Sequence, residues 1–218
     1  MIRLKDPASA LTHLGGAVAA LLLTPLLLVH GAAGGADFWG MIGLTVFMGS
    51  LVLLYSASTV YHSMNRSPRT NLILKRIDHM MIFVLIAGSY TPVCIMALPK
   101  PTGSWLLALV WVLAAAGMGL KWFWVNCPKW FSSVVYIAMG WVCLLAFPQL
   151  LRTLPAGAFG WLLAGGLLYT AGGVIYALKL GRFNRRFPAF GSHEIFHIFV
   201  LAGSFCHFIV MYRYLPLM

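Results

Sequence analysis

Charged side chains are scarce in this chain, and acidic ones are the scarcest. Only 9% of the 218 residues are charged, with 15 Lys and Arg against four Asp and Glu, whereas about 25% is usual for soluble domains. The hydrophobic share is 61%, and the mean hydropathy is +0.89. A soluble domain of this size does not need so much apolar surface, but a polytopic membrane protein does. The composition therefore excludes an ordinary soluble enzyme or binding domain.

The cysteines lack the spacing of a metal site or a redox motif. No CxxC pair occurs among the four, which are scattered through apolar sequence: Cys94, Cys127, Cys143 and Cys206. We therefore interpret them as core thiols without a ligand or disulfide role. The net charge of +11 does not indicate nucleic-acid binding, because the basic residues form short clusters between apolar runs, as the loops of membrane proteins do. These loops are too short for a second domain, so residues 1–218 are expected to form one domain.

Seven apolar stretches are each long enough to cross a membrane, which takes about 20 residues. They cover residues 9–30, 38–62, 77–98, 103–125, 130–151, 157–179 and 190–213, with Gly and Pro between them. The predicted fold class is all-α, an integral membrane bundle of seven transmembrane helices. If the N-terminus is cytoplasmic, 12 of the 15 basic residues lie on the cytoplasmic side. The positive-inside rule thus predicts an N-in, C-out orientation.

Two histidines begin the seventh span, in the segment His193-Glu194-Ile195-Phe196-His197. At positions i and i+4 of a helix they face the same way, one turn apart, and this spacing suits a single metal ion. An ionisable residue inside a membrane is costly and usually functional. His62 ends the second span and Asp78 is predicted to begin the third, so all of these side chains are expected near the cytoplasmic face.

Three histidines and a carboxylate are the parts of an open zinc site. Three neutral imidazoles leave one position on zinc for a reactive water, so His62, His193 and His197 are the predicted ligands. Asp78 is predicted to accept the proton of that water. Ser58, one turn from His62 on the same helix face, is predicted to hydrogen-bond the water or a substrate carbonyl. Asp78 and Ser58 are therefore the candidate catalytic residues.

These residues also have structural interpretations. His62 can face lipid headgroups at a helix end, and Asp78 can pair with Arg76 or cap the third helix. HExxH is also the motif of zincin metalloproteases, but no acidic residue follows Glu194 to complete that ligand set. His79 is interpreted as structural, His13 as a support of the ligands and His207 as interhelical packing. The roles of Glu194, His13 and His207 stay open.

At these residues the chain resembles the hemolysin III family, the bacterial branch of the progestin and adipoQ receptor family. The motifs that carry the resemblance are Ser58-x-x-x-His62, Asp78 followed by Ala87-Gly88-Ser89-Tyr90-Thr91-Pro92, His193-x-x-x-His197 with the later His207, and Thr12-His13-x-Gly15. The resemblance implies a seven-helix bundle in the bacterial plasma membrane, with one zinc on three histidines. It also implies a relation to alkaline ceramidase-type membrane hydrolases.

Three functions follow as hypotheses. The first is a zinc-dependent hydrolase that cleaves a lipid amide or ester near the cytoplasmic face, with membrane lipids as its partners. The second is a cytolysin or pore, although the outer half of the spans carries few polar residues for a monomeric channel. The third is a receptor or lipid sensor in which zinc is structural. The sequence leaves the substrate and the oligomeric state open.

Overall fold

Seven membrane-length helices make up most of the protein. The computed structural model describes residues 4–218, so Arg3, one of the basic residues counted for the orientation, lies outside it. In chain order the spans are Pro7–Ala33, Phe38–Ser63, Pro68–Met96, Lys100–Phe123, Lys129–Thr153, Ala156–Leu178 and Ser192–Arg213. A short helix, Gly181–Arg186, precedes the seventh span, and a single 3-10 turn, Leu215–Leu217, follows it. The helix content is 86%, with no strand among the described residues, which confirms the predicted all-α bundle.

The third span begins at Pro68, well before the predicted residue 77. Ser67 caps it by accepting a hydrogen bond from the Thr70 N–H at 3.3 Å, and proline at the first helical position loses no needed donor. Hydropathy missed these first turns because they carry basic side chains. Asp78 therefore lies well inside the helix. The prediction that it begins the helix is wrong, and so is the alternative that it caps the helix.

The fifth span is interrupted near its middle. It consists of an α-helix, a 3-10 segment and a second α-helix: Lys129–Gly140, Trp141–Ala146 and Phe147–Thr153. Pro148 has no N–H to donate to the preceding turn. The Tyr90 hydroxyl of the third span donates to the Gly140 carbonyl at 2.6 Å and accepts from the Cys143 N–H at 2.8 Å. This side chain satisfies backbone groups at the break and fixes the third span against the fifth.

Consecutive spans pack side by side, and the seventh closes the bundle. The first span packs on the second, the second on the third and the third on the fourth, while the seventh lies between the first and the sixth. At Gly117 a side chain would overlap the Phe83 ring, so the missing Cβ lets the third and fourth spans approach closely. Because successive helices alternate in direction, the end of the second span and the starts of the third and seventh lie at one end of the bundle. We call this the site end.

Candidate metal centre

Three histidine side chains meet at the site end. His62 comes from the last turn of the second span, and His193 and His197 come from the first two turns of the seventh. The Nε2 atoms of His62 and His193 are 3.2 Å apart, and all three residues offer ligand atoms within 4.8 Å of one another. In tetrahedral zinc sites with bonds of about 2.0–2.1 Å, neighbouring nitrogen ligands lie about 3.3 Å apart. Small side-chain movements would thus let the cluster hold one metal ion.

Asp6 holds the His62 ring with its Nε2 atom free to coordinate a metal ion. The Asp6 Oδ2 atom lies 3.0 Å from His62 Nδ1, and the Asp6 backbone N–H donates to the His62 carbonyl at 2.9 Å. A carboxylate only accepts, so Nδ1 carries the proton and the Nε2 lone pair is free for a metal. This partner of His62 was not predicted from the sequence. The available signal was the position of Asp6 directly before Pro7, which begins the first span at the same end as His62.

Thr12 does the same for His197. The Thr12 hydroxyl donates to the Ser9 carbonyl at 2.9 Å, which leaves its oxygen to accept from His197 Nδ1 at 3.2 Å. This assigns the proton to Nδ1 and frees Nε2 for coordination. His13 stacks on the His197 ring with centroids 3.7 Å apart and planes 6° from parallel. His13 therefore contacts a predicted ligand directly, as a supporting residue would.

Glu194 ties the first span to the seventh. The Ser9 hydroxyl donates to Glu194 Oε1 at 2.5 Å, and the Gly191 N–H donates to Glu194 Oε2 at 2.8 Å. The second bond satisfies a backbone donor at the start of the seventh helix. Both carboxylate oxygens are engaged, so Glu194 has a structural role and is not free to act as the general base of a zincin.

Asp78 and Ser58 line the same cavity as His193 and His197. The Ser58 hydroxyl is buried beside the Asp78 carboxyl but forms no hydrogen bond of ordinary geometry within the described part of the chain. A buried polar atom without a partner is matched by water or a ligand. Both ion pairs found between residues 4 and 218 involve Asp6. The alternative pairing of Asp78 with Arg76 is therefore wrong.

His79 and His207 lie outside the three-histidine cluster. His207 Nε2 lies 3.3 Å from the Leu162 carbonyl, and its ring meets Tyr169 edge-on. This is the interhelical packing that the sequence indicated for His207. His79 Nδ1 is buried without a hydrogen-bond partner in the described residues, and the residue lines the cavity.

A cavity of about 190 Å³ extends from the candidate metal centre into the bundle. It is lined mainly by apolar side chains of the third to seventh spans. Along the seventh helix the lining runs from His193 to His207, about 20 Å at 1.5 Å per residue. The cavity is therefore long and narrow, and its polar groups are concentrated at the site end.

The fold and the site together define a multi-pass membrane protein with a candidate three-histidine metal centre at the polar end of an apolar cavity. Comparison with known proteins narrows this class. The haemolysin-III-related family model matches residues 1–208. The chain belongs to this family, which confirms the resemblance seen in the sequence.

Three relatives each align with more than four fifths of the chain. Hemolysin-3 of Bacillus cereus is 36% identical over 213 residues, which cover 97% of this chain and 93% of that protein. The hemolysin-3 homolog of Bacillus subtilis (strain 168) is 37% identical over 212 residues, covering 96% and 94%. The monocyte to macrophage differentiation factor of Homo sapiens is 26% identical over 183 residues, covering 82% and 73%.

Proposed function

We propose that the protein is a zinc-dependent hydrolase that cleaves an amide or ester bond of a membrane lipid. The observation that carries this proposal is the placement of three histidines, a carboxyl and a neighbouring buried hydroxyl at the polar end of a long apolar cavity. A hydrocarbon chain lying in the cavity would leave the bond next to the polar end of the lipid beside these groups. Such a site matches a substrate whose reactive bond lies just below the membrane surface.

Zinc is the metal that the donor set favours. Imidazole nitrogens suit zinc, and three protein ligands with one open position are typical of its catalytic sites. Asp6 and Thr12 fix the tautomers of His62 and His197 so that each can coordinate through Nε2. A zinc ion bound there would supply Lewis-acid activation of a water molecule and of the substrate carbonyl.

Asp78 transfers the proton, and Ser58 stabilises the negative charge that develops on the carbonyl oxygen. Asp78 takes a proton from the water as its oxygen adds to the carbonyl carbon. It returns that proton to the leaving amine or alkoxide when the C–N or C–O bond breaks. Ser58 donates a hydrogen bond to the carbonyl oxygen as negative charge develops on it. The apolar cavity wall holds the lipid chain and keeps bulk water from the reacting bond.

Fatty-acid release from a lipid panel, measured beside zinc content, tests this mechanism. The full chain in detergent or liposomes is offered ceramide-like amides and phospholipid esters. Asp78→Asn should keep zinc but lower turnover about 10²- to 10⁴-fold, because the amide cannot take a proton. Ser58→Ala should lower turnover less, and Ser50→Ala is its matched control. Ser50 is a buried serine of the same helix that donates to its own helix at Phe47.

Two outcomes would replace the proposal. If the three histidines bind zinc but no lipid of the panel is cleaved, a receptor or lipid sensor with structural zinc is favoured. The name of the Bacillus relatives, hemolysin-3, makes cytolysis the second candidate function. Dye release from liposomes that is equal for the unmodified protein and Asp78→Asn would support cytolysis and remove the role assigned to Asp78.

A further inference from the structure

Lys121 is a fully buried cation with no carboxylate partner among the described residues. Its side chain is 0% exposed, and its Nζ donates to Ser132 Oγ at 2.6 Å and to Cys127 Sγ at 3.0 Å. The ion pairs between residues 4 and 218 both involve Asp6 instead. A buried ammonium without an anion is energetically costly. A negative group near Lys121 would therefore be stabilised.

The surroundings of Lys121 already favour negative charge. Cys127 lies in the loop between the fourth and fifth spans. Burial raises the pKa of its thiol, but hydrogen bonds with Ser132 and Lys121 lower the pKa by more than burial raises it. The pKa of Cys127 therefore lies below its usual value. Two more basic side chains nearby also have no carboxylate partner between residues 4 and 218. Lys75 donates to Asn126 at 2.8 Å, and Lys129 lies 4.4 Å from the centre of the Tyr176 ring.

A layer of hydroxyl groups connects Lys121 to the cavity. Ser132, Ser133 and Tyr136, in the first turns of the fifth span, all line it. The Lys121 ammonium lies 5.5 Å from the centre of the Tyr136 ring, directly behind this wall. The Ser133 hydroxyl is buried and has no hydrogen-bond partner in the described chain. His79 Nδ1, on the third span, is also buried, unpartnered and part of the same cavity wall.

The hydroxyl groups and His79 line the cavity that reaches the candidate metal centre, and Lys121 lies at the same end of the bundle. The fourth span ends and the fifth begins where the seventh begins, because successive helices alternate in direction. Lys121 lies in the last turn of the fourth span, and Ser133 in the first turns of the fifth. A lipid that reaches the three histidines thus has a second polar wall beside its headgroup.

We propose that Ser132, Ser133 and Lys121 form an anion subsite that binds the phosphate of a phospholipid whose hydrocarbon chain lies in the cavity. Ser133 donates to a phosphate oxygen, and His79, as the neutral tautomer with its hydrogen on Nδ1, donates to another. Lys121 donates to Ser132 Oγ and thereby strengthens the hydrogen bond that the Ser132 hydroxyl donates to the phosphate. That the bound lipid is also the substrate rests on the proposed function, and it selects an anionic phospholipid over a neutral ceramide-like lipid.

Binding measured without turnover tests the subsite separately from the hydrolase activity. The purified full chain in neutral detergent is titrated with dihexanoyl phosphatidic acid, with dihexanoylglycerol and with inorganic phosphate, and affinities are measured by calorimetry. We expect phosphatidic acid to bind at least tenfold more tightly than the neutral lipid of the same chains. Inorganic phosphate should bind much more weakly, since it has no chain to fill the cavity.

Single substitutions test whether Ser133 and Lys121 cause the preference for the anionic lipid. Ser133→Ala should weaken phosphatidic acid binding about tenfold and leave dihexanoylglycerol unchanged, because only a hydrogen bond to the charged group is lost. Lys121→Met should abolish the preference for the anionic lipid. Ser50→Ala and Lys100→Met are the matched controls and should keep the preference. Lys100 is exposed at the opposite end of the bundle.

Equal binding of the anionic and neutral lipids would overturn the subsite, and so would an unchanged preference in Ser133→Ala, even if Lys121→Met fails to fold. Inorganic phosphate that binds as tightly as phosphatidic acid would show a free-anion site and overturn the lipid assignment. His193→Ala should keep the lipid preference while losing zinc. A preserved preference in a protein that hydrolyses no lipid would overturn the proposed function and leave the subsite in place.

Discussion

Replacement of Asp6 tests whether the metal centre is built as the geometry indicates. Asp6 is 3.0 Å from His62 Nδ1, and loss of a carboxylate that orients a histidine ligand typically weakens metal binding 10- to 100-fold. This corresponds to about 1.4–2.8 kcal/mol. The Asp6 side chain is 44% exposed, so solvent screens the pair. We therefore expect Asp6→Ala to weaken zinc binding by about tenfold, the lower end of that range.

Asp6→Asn separates charge from geometry. Its amide oxygen can still accept from His62 Nδ1, so we expect a zinc affinity between those of the unmodified protein and Asp6→Ala. Neither change uncaps the first helix, because the Asp6 side chain makes no capping hydrogen bond there. Asp37→Ala is the control for Asp6→Ala, because alanine removes the acceptor. Asp37 caps the second span by accepting from the Gly40 N–H at 2.7 Å, so its loss should lower thermal stability and leave zinc affinity unchanged.

Competition with a chromophoric zinc chelator, in detergent, gives the affinities. Unchanged zinc binding in Asp6→Ala would refute the argument that Asp6 prepares His62 as a ligand. An equal loss in Asp37→Ala would show that the effect arises from weakened folding at any helix start. Only a loss confined to Asp6 supports the proposed geometry.

Two further predictions concern ligand choice and orientation. His197→Ala should lower zinc content and thermal stability together, because metal binding is coupled to the folded state. His79→Ala and His207→Ala should retain zinc by elemental analysis, and zinc loss in either would mean that the ligand set is wrong. A reporter fused after Met218 should be external and one inserted at 64–67 cytoplasmic. The reverse pattern would contradict the N-in orientation drawn from the charge distribution.

Local periodicity and helix alternation were enough to predict which histidines meet. The i, i+4 spacing puts His193 and His197 on one helix face. Counting spans then brings the end of the second helix, and with it His62, to the same end. The role of Asp6 was not predicted because Asp6 pairs with His62 across 56 positions of sequence. No periodic pattern links a residue before one helix to the last turn of another, so only the folded structure reveals this partner.

Helix boundaries and irregularities were predicted less well, for a related reason. Hydropathy detects side chains that suit lipid, but a helix begins where its backbone donors are capped. Ser67 and Pro68 start the third helix outside the apolar run. The break in the fifth helix depends on a hydrogen bond from Tyr90, which belongs to another span. Tertiary contacts, which a single-sequence window does not contain, determine both features.

Lys121 shows that a count of basic residues does not distinguish a buried lysine from an exposed one. In the orientation argument it is one basic residue among 12 on the cytoplasmic side, all treated as solvated loop residues. The structure instead buries it fully behind the cavity wall. Without it the split is still 11 against 3, so the predicted orientation does not depend on this residue. The orientation of the protein does not require Lys121, and the charge of Lys121 is costly where it is buried. A bound anion is the simplest explanation for a lysine at this position.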